Sequence, residues 1–168
     1  MKTMLRTLFG GAIAAALLTG CAGYGPSALT PGASVDQARQ SLGEPTAVYP
    51  LEDKGRRFEY ARGPFGRHTY MLDFDGDGRL VKWEQVLHEQ NFNQITPGMP
   101  AREVLMRIGQ SFDQRLVGVA ERRQTVWAYR YETPFCQYFQ VGIDSYGKVM
   151  DTSYGPDPVC EVETGDVL

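Results

Sequence analysis

The chain has 168 residues, with 17 Lys and Arg against 20 Asp and Glu, a net charge of −3 and 42% hydrophobic residues. That balance excludes a nucleic-acid binder, which needs a strong basic footprint, while the apolar fraction is enough for a packed core in one domain or two small ones. The elements below follow the chain from its start.

Residues 1–20 read as a signal peptide: Lys2 and Arg6, then an apolar run from Leu8 to Leu18 that is too short to span a membrane as a helix. The ending Leu18-Thr19-Gly20-Cys21 resembles the lipobox of bacterial lipoproteins, which implies cleavage before Cys21 and lipid attachment to it. Ala22 follows, and by resemblance to the sorting rule, in which Asp at that place retains a protein at the inner membrane, this implies the outer membrane, periplasmic face. Several buried acyl chains would make the anchor stable. Loss of Lys2 and Arg6 takes the net charge to −5. Residues 21–28 then form a lipidated tether.

Two segments repeat. Leu29-Thr30-Pro31-Gly32-Ala33-Ser34 precedes VDQARQSLG, and Ile95-Thr96-Pro97-Gly98-Met99-Pro100 precedes AREVLMRIG, at an offset of 66. Val35, Ala38 and Leu42 match Ala101, Val104 and Ile108, an apolar stripe at i, i+3, i+7 opened by Ser or Pro and closed by Gly. Each stripe predicts one short helix. Further on the offset becomes 69: Phe58-Glu59-Tyr60 matches Trp127-Ala128-Tyr129, and Tyr70, Leu72, Phe74 match Phe139, Val141, Ile143 in strand-like alternation. Each copy therefore reads as a helix followed by three strands, with the segment ahead of the first strand taken as loop. Copy one covers 29–87, a polar connector 88–94, copy two 95–155, and a tail 156–168.

DFDGDGRLVKWE, residues 73–84, matches a calcium-binding loop through Asp73, Asp75, Asp77, Gly78, Leu80 and Glu84. Its counterpart in copy two, Asp144-Ser145-Tyr146-Gly147, keeps only the first Asp and the last Gly. A hairpin turn explains what both copies share. With Asp75 facing Gly78, Glu84 would lie opposite Thr69, about 13 Å along the sheet from Asp73. Asp73, Asp75, Asp77 and Glu84 are thus a weak metal candidate at most, and no cofactor is expected.

The Pro-Gly-Met opening, the helix with its closing Gly, the aromatic strand TVWAYRY and the Asp-before-Gly hairpin together resemble the BamE family, also called SmpA/OmlA, of outer-membrane assembly lipoproteins. The resemblance implies an α+β fold of two tandem repeats, each with helix or helices packed on a three-stranded antiparallel sheet. It further implies a non-catalytic adaptor or scaffold in outer-membrane protein assembly or envelope integrity, with a protein partner in an assembly machine. Tandem copies of such a fold also occur in a secreted β-lactamase inhibitor, which implies a periplasmic enzyme inhibitor or ligand-binding module as the alternative.

No catalytic constellation stands out. His68 and His88 lack a recognisable nucleophile or paired ligand, and Gly63, Gly66 and Gly76 do not precede a helix. Arg56, Arg57, Arg122 and Arg123 read as a solvated strand edge or as contacts to lipid headgroups or an acidic partner. Trp127, Tyr129 and Tyr131 share one strand face, expected to face the core. Cys136 and Cys160, an even pair in an oxidising compartment, read most simply as a disulfide.

Overall fold

Ser34 sets the start of the first helix. Its side chain accepts from the Gln37 amide while the Gln37 side chain accepts from the Ser34 amide, so two otherwise orphaned donors are satisfied reciprocally. The computed structural model, which describes residues 25–159, places this helix, α1, at Val35–Leu42. Gly43 ends it at φ 84°, a conformation that glycine adopts without strain. Four strands follow: β1 (Ala47–Pro50), β2 (Arg56–Ala61), β3 (Thr69–Phe74) and β4 (Leu80–Gln85). They pair antiparallel in chain order as one sheet.

The second half is built alike. After a one-turn helix α2 (Glu89–Phe92) come α3 (Ala101–Ile108), closed by Gly109, and strands β5 (Asp113–Val117), β6 (Gln124–Arg130), β7 (Gln137–Ile143) and β8 (Val149–Pro156). These also form an antiparallel sheet in chain order. In both halves the helix start is stitched to the last hairpin by an isolated bridge, Ser34 to Arg79 and Pro100 to Lys148.

These sheets overturn the fold class expected from the sequence. Each has four strands rather than three, one eight-residue helix accompanies each, and strand residues outnumber helical ones among the described residues. The architecture is therefore not a pair of BamE-like repeats with helices on three strands. The additional strands are β1 and β5, in segments expected to be loop. Both are sheet edges, paired on one side only to β2 and β6. β1 alternates in exposure, but with the apolar residues Ala47, Val48, Tyr49 and Pro50 throughout, and β5 exposes Gln114, Arg115 and Leu116 in a row, so neither edge strand shows the apolar/polar alternation that marks a half-buried strand in sequence.

Alternation on the longer strands decides the layering. Phe58, Tyr60, Leu72, Phe74 and Leu80 form a cluster with Ala38 of α1, and Leu29 and Leu42 pack on it. Met71, which projects from the opposite face of the same sheet, belongs to a second cluster with Val104 and Ile108 of α3 and Tyr129, Phe139 and Val141 of the second sheet. The first sheet is thus covered on both faces, and α3 joins the two halves. Phe92 from the connector completes this core, stacked on Phe139 with centroids 4.2 Å apart. Burying a side chain of that size contributes about 1.5–3 kcal/mol.

Candidate interaction face

In the calcium-like stretch three of the four candidate carboxylates, Asp73, Asp75 and Glu84, already have other work, and Asp77 enters the turn through its amide. Asp75 Oδ1 accepts from the amides of Asp77 (3.0 Å) and Arg79 (2.9 Å). Asp144 Oδ1 does the same for Tyr146 (2.8 Å) and Lys148 (2.9 Å). The same turn geometry forms in the copy that lacks the other acids, so these aspartates serve the hairpin. Asp73 is gripped by Arg57, and Glu84 accepts from Asn91 Nδ2 at 2.9 Å. The expected strand register is corrected here. The turn sets Asp75 against Arg79 rather than Gly78, and a bulge between Asp73 and Phe74 adds one more residue, so Glu84 lies opposite Met71 rather than Thr69.

The charged groups inside the molecule join its parts. Arg57 donates to Asp73 at 2.6 and 2.7 Å and, through Nη1, to the carbonyl of Met106 at 2.7 Å, where α3 is running out of backbone donors. It is a half-buried clamp between sheet and helix, where a solvated edge or a lipid contact was expected. Glu59, fully buried, accepts from Tyr49 Oη (2.6 Å), Thr46 Oγ1 (3.2 Å) and the amide of Gln110 just beyond α3 (3.1 Å). Burial raises the Tyr49 hydroxyl, and Glu59 adds to the rise. Burial likewise raises Tyr129, which donates to the Gly109 carbonyl at 3.0 Å. Sequence reasoning passed over Glu59 because a lone Glu in a strand carries no signal of burial.

At the end of the molecule where β2 turns into β3 and β6 into β7, the two loops touch. Arg130 donates to both oxygens of Asp157 (2.8 and 3.0 Å), to Tyr138 Oη and to the Pro64 carbonyl (2.6 Å). Burial raises the Asp157 carboxyl, but the hydrogen bonds from Arg130 and the Val159 amide, with the charge of Arg130, outweigh it and the net shift is downward. Tyr138 is pushed up to about 12, by burial first and by Asp157 next, against the opposing charge of Arg130. Arg67 and His68 each lie 3.9 Å from Glu132 across the loops. An adjoining cleft between segments 61–69 and 110–113, with Arg130 and Tyr138 in its wall, holds about 20 Å³, room for little more than one water.

Beside this junction Gly25, Arg67, His68, Tyr70 and Trp83 line an open groove of about 420 Å³. His68 stacks on Tyr70 with centroids 6.0 Å apart, and Trp83 meets Tyr70 edge-on at 6.2 Å. Two phenylalanines project from the loop tips, Phe65 at 75% exposure and Phe135 at 74%. The structure thus brings His68 to this rim, while His88 sits apart in the connector against Glu84 at 3.3 Å. Arg56 lies 5.6 Å from the Phe58 ring. Arg122 and Arg123 follow β5 at the opposite end. Tyr129 and Tyr131 are buried in the core.

Cys136 is disulfide-bonded at a positive φ of 46°. Cys21 and Cys160 both lie outside the described residues, so neither the lipid attachment nor the pairing partner of Cys136 is described.

No protein-family model and no curated protein matches the chain. Among solved structures, a cysteine-rich secretory protein from Staphylococcus aureus is similar over 76% of this chain and 45% of its own, at 12% identity and a TM-score of 0.27. An extracellular protein containing an SCP domain from Bacillus anthracis is similar over 95% and 51%, at 8% identity and a TM-score of 0.30. The chain spans about half the length of these two proteins, and likenesses this distant assign it no function.

Proposed function

We propose that the protein is a lipid-anchored, non-catalytic adaptor on the periplasmic face of the outer membrane, holding a protein partner in envelope-protein assembly or envelope integrity. The observation that carries the reading is the apolar signal ending in Leu18-Thr19-Gly20-Cys21, four residues before the rim at Gly25. Its support from the interior is that Arg57–Asp73, Glu59 and Arg130–Asp157 all bind one structural element to another. Charges used in this way make a rigid scaffold. With Cys21 taken by lipid, Cys160 is the remaining partner for the Cys136 disulfide.

Crosslinking and pull-down of the lipidated chain tests this, set against a form exported with an ordinary secretory signal. Recovery of membrane-embedded assembly components with the anchored form alone supports the adaptor. Recovery of a soluble hydrolase with both forms replaces it with an enzyme inhibitor.

A further inference from the structure

Single exposed apolar side chains are ordinary on protein surfaces, but Phe65 and Phe135 are held outward by construction. Phe65 sits on a tight turn in which Gly66 donates to the Gly63 carbonyl at 3.1 Å. A Cβ at Gly66 would come within 2.3 Å of the Arg62 carbonyl oxygen, so the turn requires glycine there. Arg130 fixes the preceding Pro64 carbonyl and lies 5.2 Å from the Phe65 ring centroid. Phe135 donates its amide to Thr133 Oγ1 at 3.3 Å and is followed by the disulfide-bonded Cys136. Neither ring lies in the core of its own half.

Both loops lie at the end from which the tether departs. Gly25 lines the same groove as Gly66 and Arg67, and Cys21 is four residues upstream, a reach of at most about 14 Å. From these placements we infer that the 62–68 and 131–136 loops are the membrane-facing end of the molecule, with Phe65 and Phe135 seated at the headgroup level of the lipid surface. The inference rests on the proposed lipid anchor. Tyr70 and Trp83, amphipathic rings of the kind that favour the membrane boundary, stand at the same end. The rim carries Glu132 beside Arg67 and His68, so charges of both signs meet the surface. The two loops together carry Arg62 and Arg67 against Glu132, a net charge of only +1 with His68 neutral, so seating is driven by apolar area and changes little with the anionic lipid content of the bilayer. The hairpins at Asp75–Gly78 and Asp144–Gly147, at the opposite ends of the strands, then face away from the membrane and toward a partner.

The test uses the full lipidated chain in vesicles of zwitterionic lipid, with and without anionic lipid, and brominated acyl chains as quenchers. Trp83 and Trp127 are replaced by Phe, and a single tryptophan is introduced as Phe65→Trp, Phe135→Trp or Tyr146→Trp, the last on the far hairpin and 87% exposed. Loss of fluorescence at 65 and 135 but not at 146, similar in both vesicle types, is the expected result. Quenching at 146 alone, at none of the three, or only with anionic lipid overturns the inference while the anchor stands, provided the protein floats with the vesicles. Failure to float overturns the anchor reading and the orientation with it. Should the tryptophan replacements unfold the chain, hydrogen exchange of the unaltered protein decides. Slowing confined to 62–68 and 131–136 in vesicles, relative to the anchor-free chain in buffer, supports the orientation; slowing at the hairpins instead refutes it.

Discussion

Asp157 shows how a single residue ties the end of the described chain to the body of the second sheet. Its carboxylate is almost fully buried and receives two hydrogen bonds from Arg130, so removing its charge leaves a buried guanidinium uncompensated. Asp157→Asn should cost about 3 kcal/mol at neutral pH. The folded-state carboxyl is shifted below its ordinary value near 3.8. The stability it contributes is therefore present above that value and lost as the pH falls through the lower, folded value. Urea unfolding of the wild type and Asp157→Asn across this range should show the gap closing in acid. A gap that stays constant down to the lowest pH at which the protein folds would mean that shape, not charge, holds the pair. Asp157 falls in what the sequence alone marks as a tail, because its partner, Arg130, is 27 positions away.

At the scale of elements, the two hairpins give the cleanest comparison. Asp75 and Asp144 occupy the same corner and accept the same pair of amides, while only the first copy has acids at the positions of a calcium loop. Asp75→Ala and Asp144→Ala should each destabilise by about 1 kcal/mol, the net worth of such hydrogen bonds. Millimolar calcium should leave the melting temperature of the wild type and both variants unchanged. A calcium-dependent rise seen in wild type and abolished by Asp75→Ala alone would restore the metal reading. The duplication made the hairpin legible in sequence, but the bulge at Asp73/Phe74 did not show, since an extra residue in a strand leaves the composition unaltered. Strands β1 and β5 were illegible for a related reason. Each is short, each lies at an edge, and each draws its order from a ladder to β2 or β6 rather than from its own pattern.

For the whole molecule, the joint between the halves sets cooperativity. Glu59 on the first sheet binds the chain leaving α3, Arg57 binds the end of that helix, and Met71 enters the cluster that contains the second sheet's core. Glu59→Ala would leave the Tyr49 hydroxyl and the Gln110 amide without their acceptor, at a cost of about 3 kcal/mol. Trp83 in the first sheet and Trp127 in the second report on the halves separately when studied one at a time. In the wild type the two unfolding transitions should coincide, and in Glu59→Ala both should move to lower denaturant together. If Trp83 alone shifts, the halves are energetically independent.

The sequence by itself determined what is local. Ser34 with Gln37, and the glycines at 43 and 109, bound the two helices where the stripes predict them, because capping acts within four residues. Asp75 and Asp144 mark their turns for the same reason. Of the face of Trp127, Tyr129 and Tyr131 expected in the core, Tyr129 and Tyr131 are buried and Trp127 is half-buried against it, while Val126 and Ala128 on the other face are buried too, which the period of two did not show. Only the tertiary structure decided the number of strands in each sheet, the burial of Glu59, the grip of Arg57 on α3 and the meeting of the two loops through Arg130. These depend on partners 6 to 66 positions apart. A buried ion pair or edge ladder is specified by what lies across the fold, and neither partner alone carries a mark of the other.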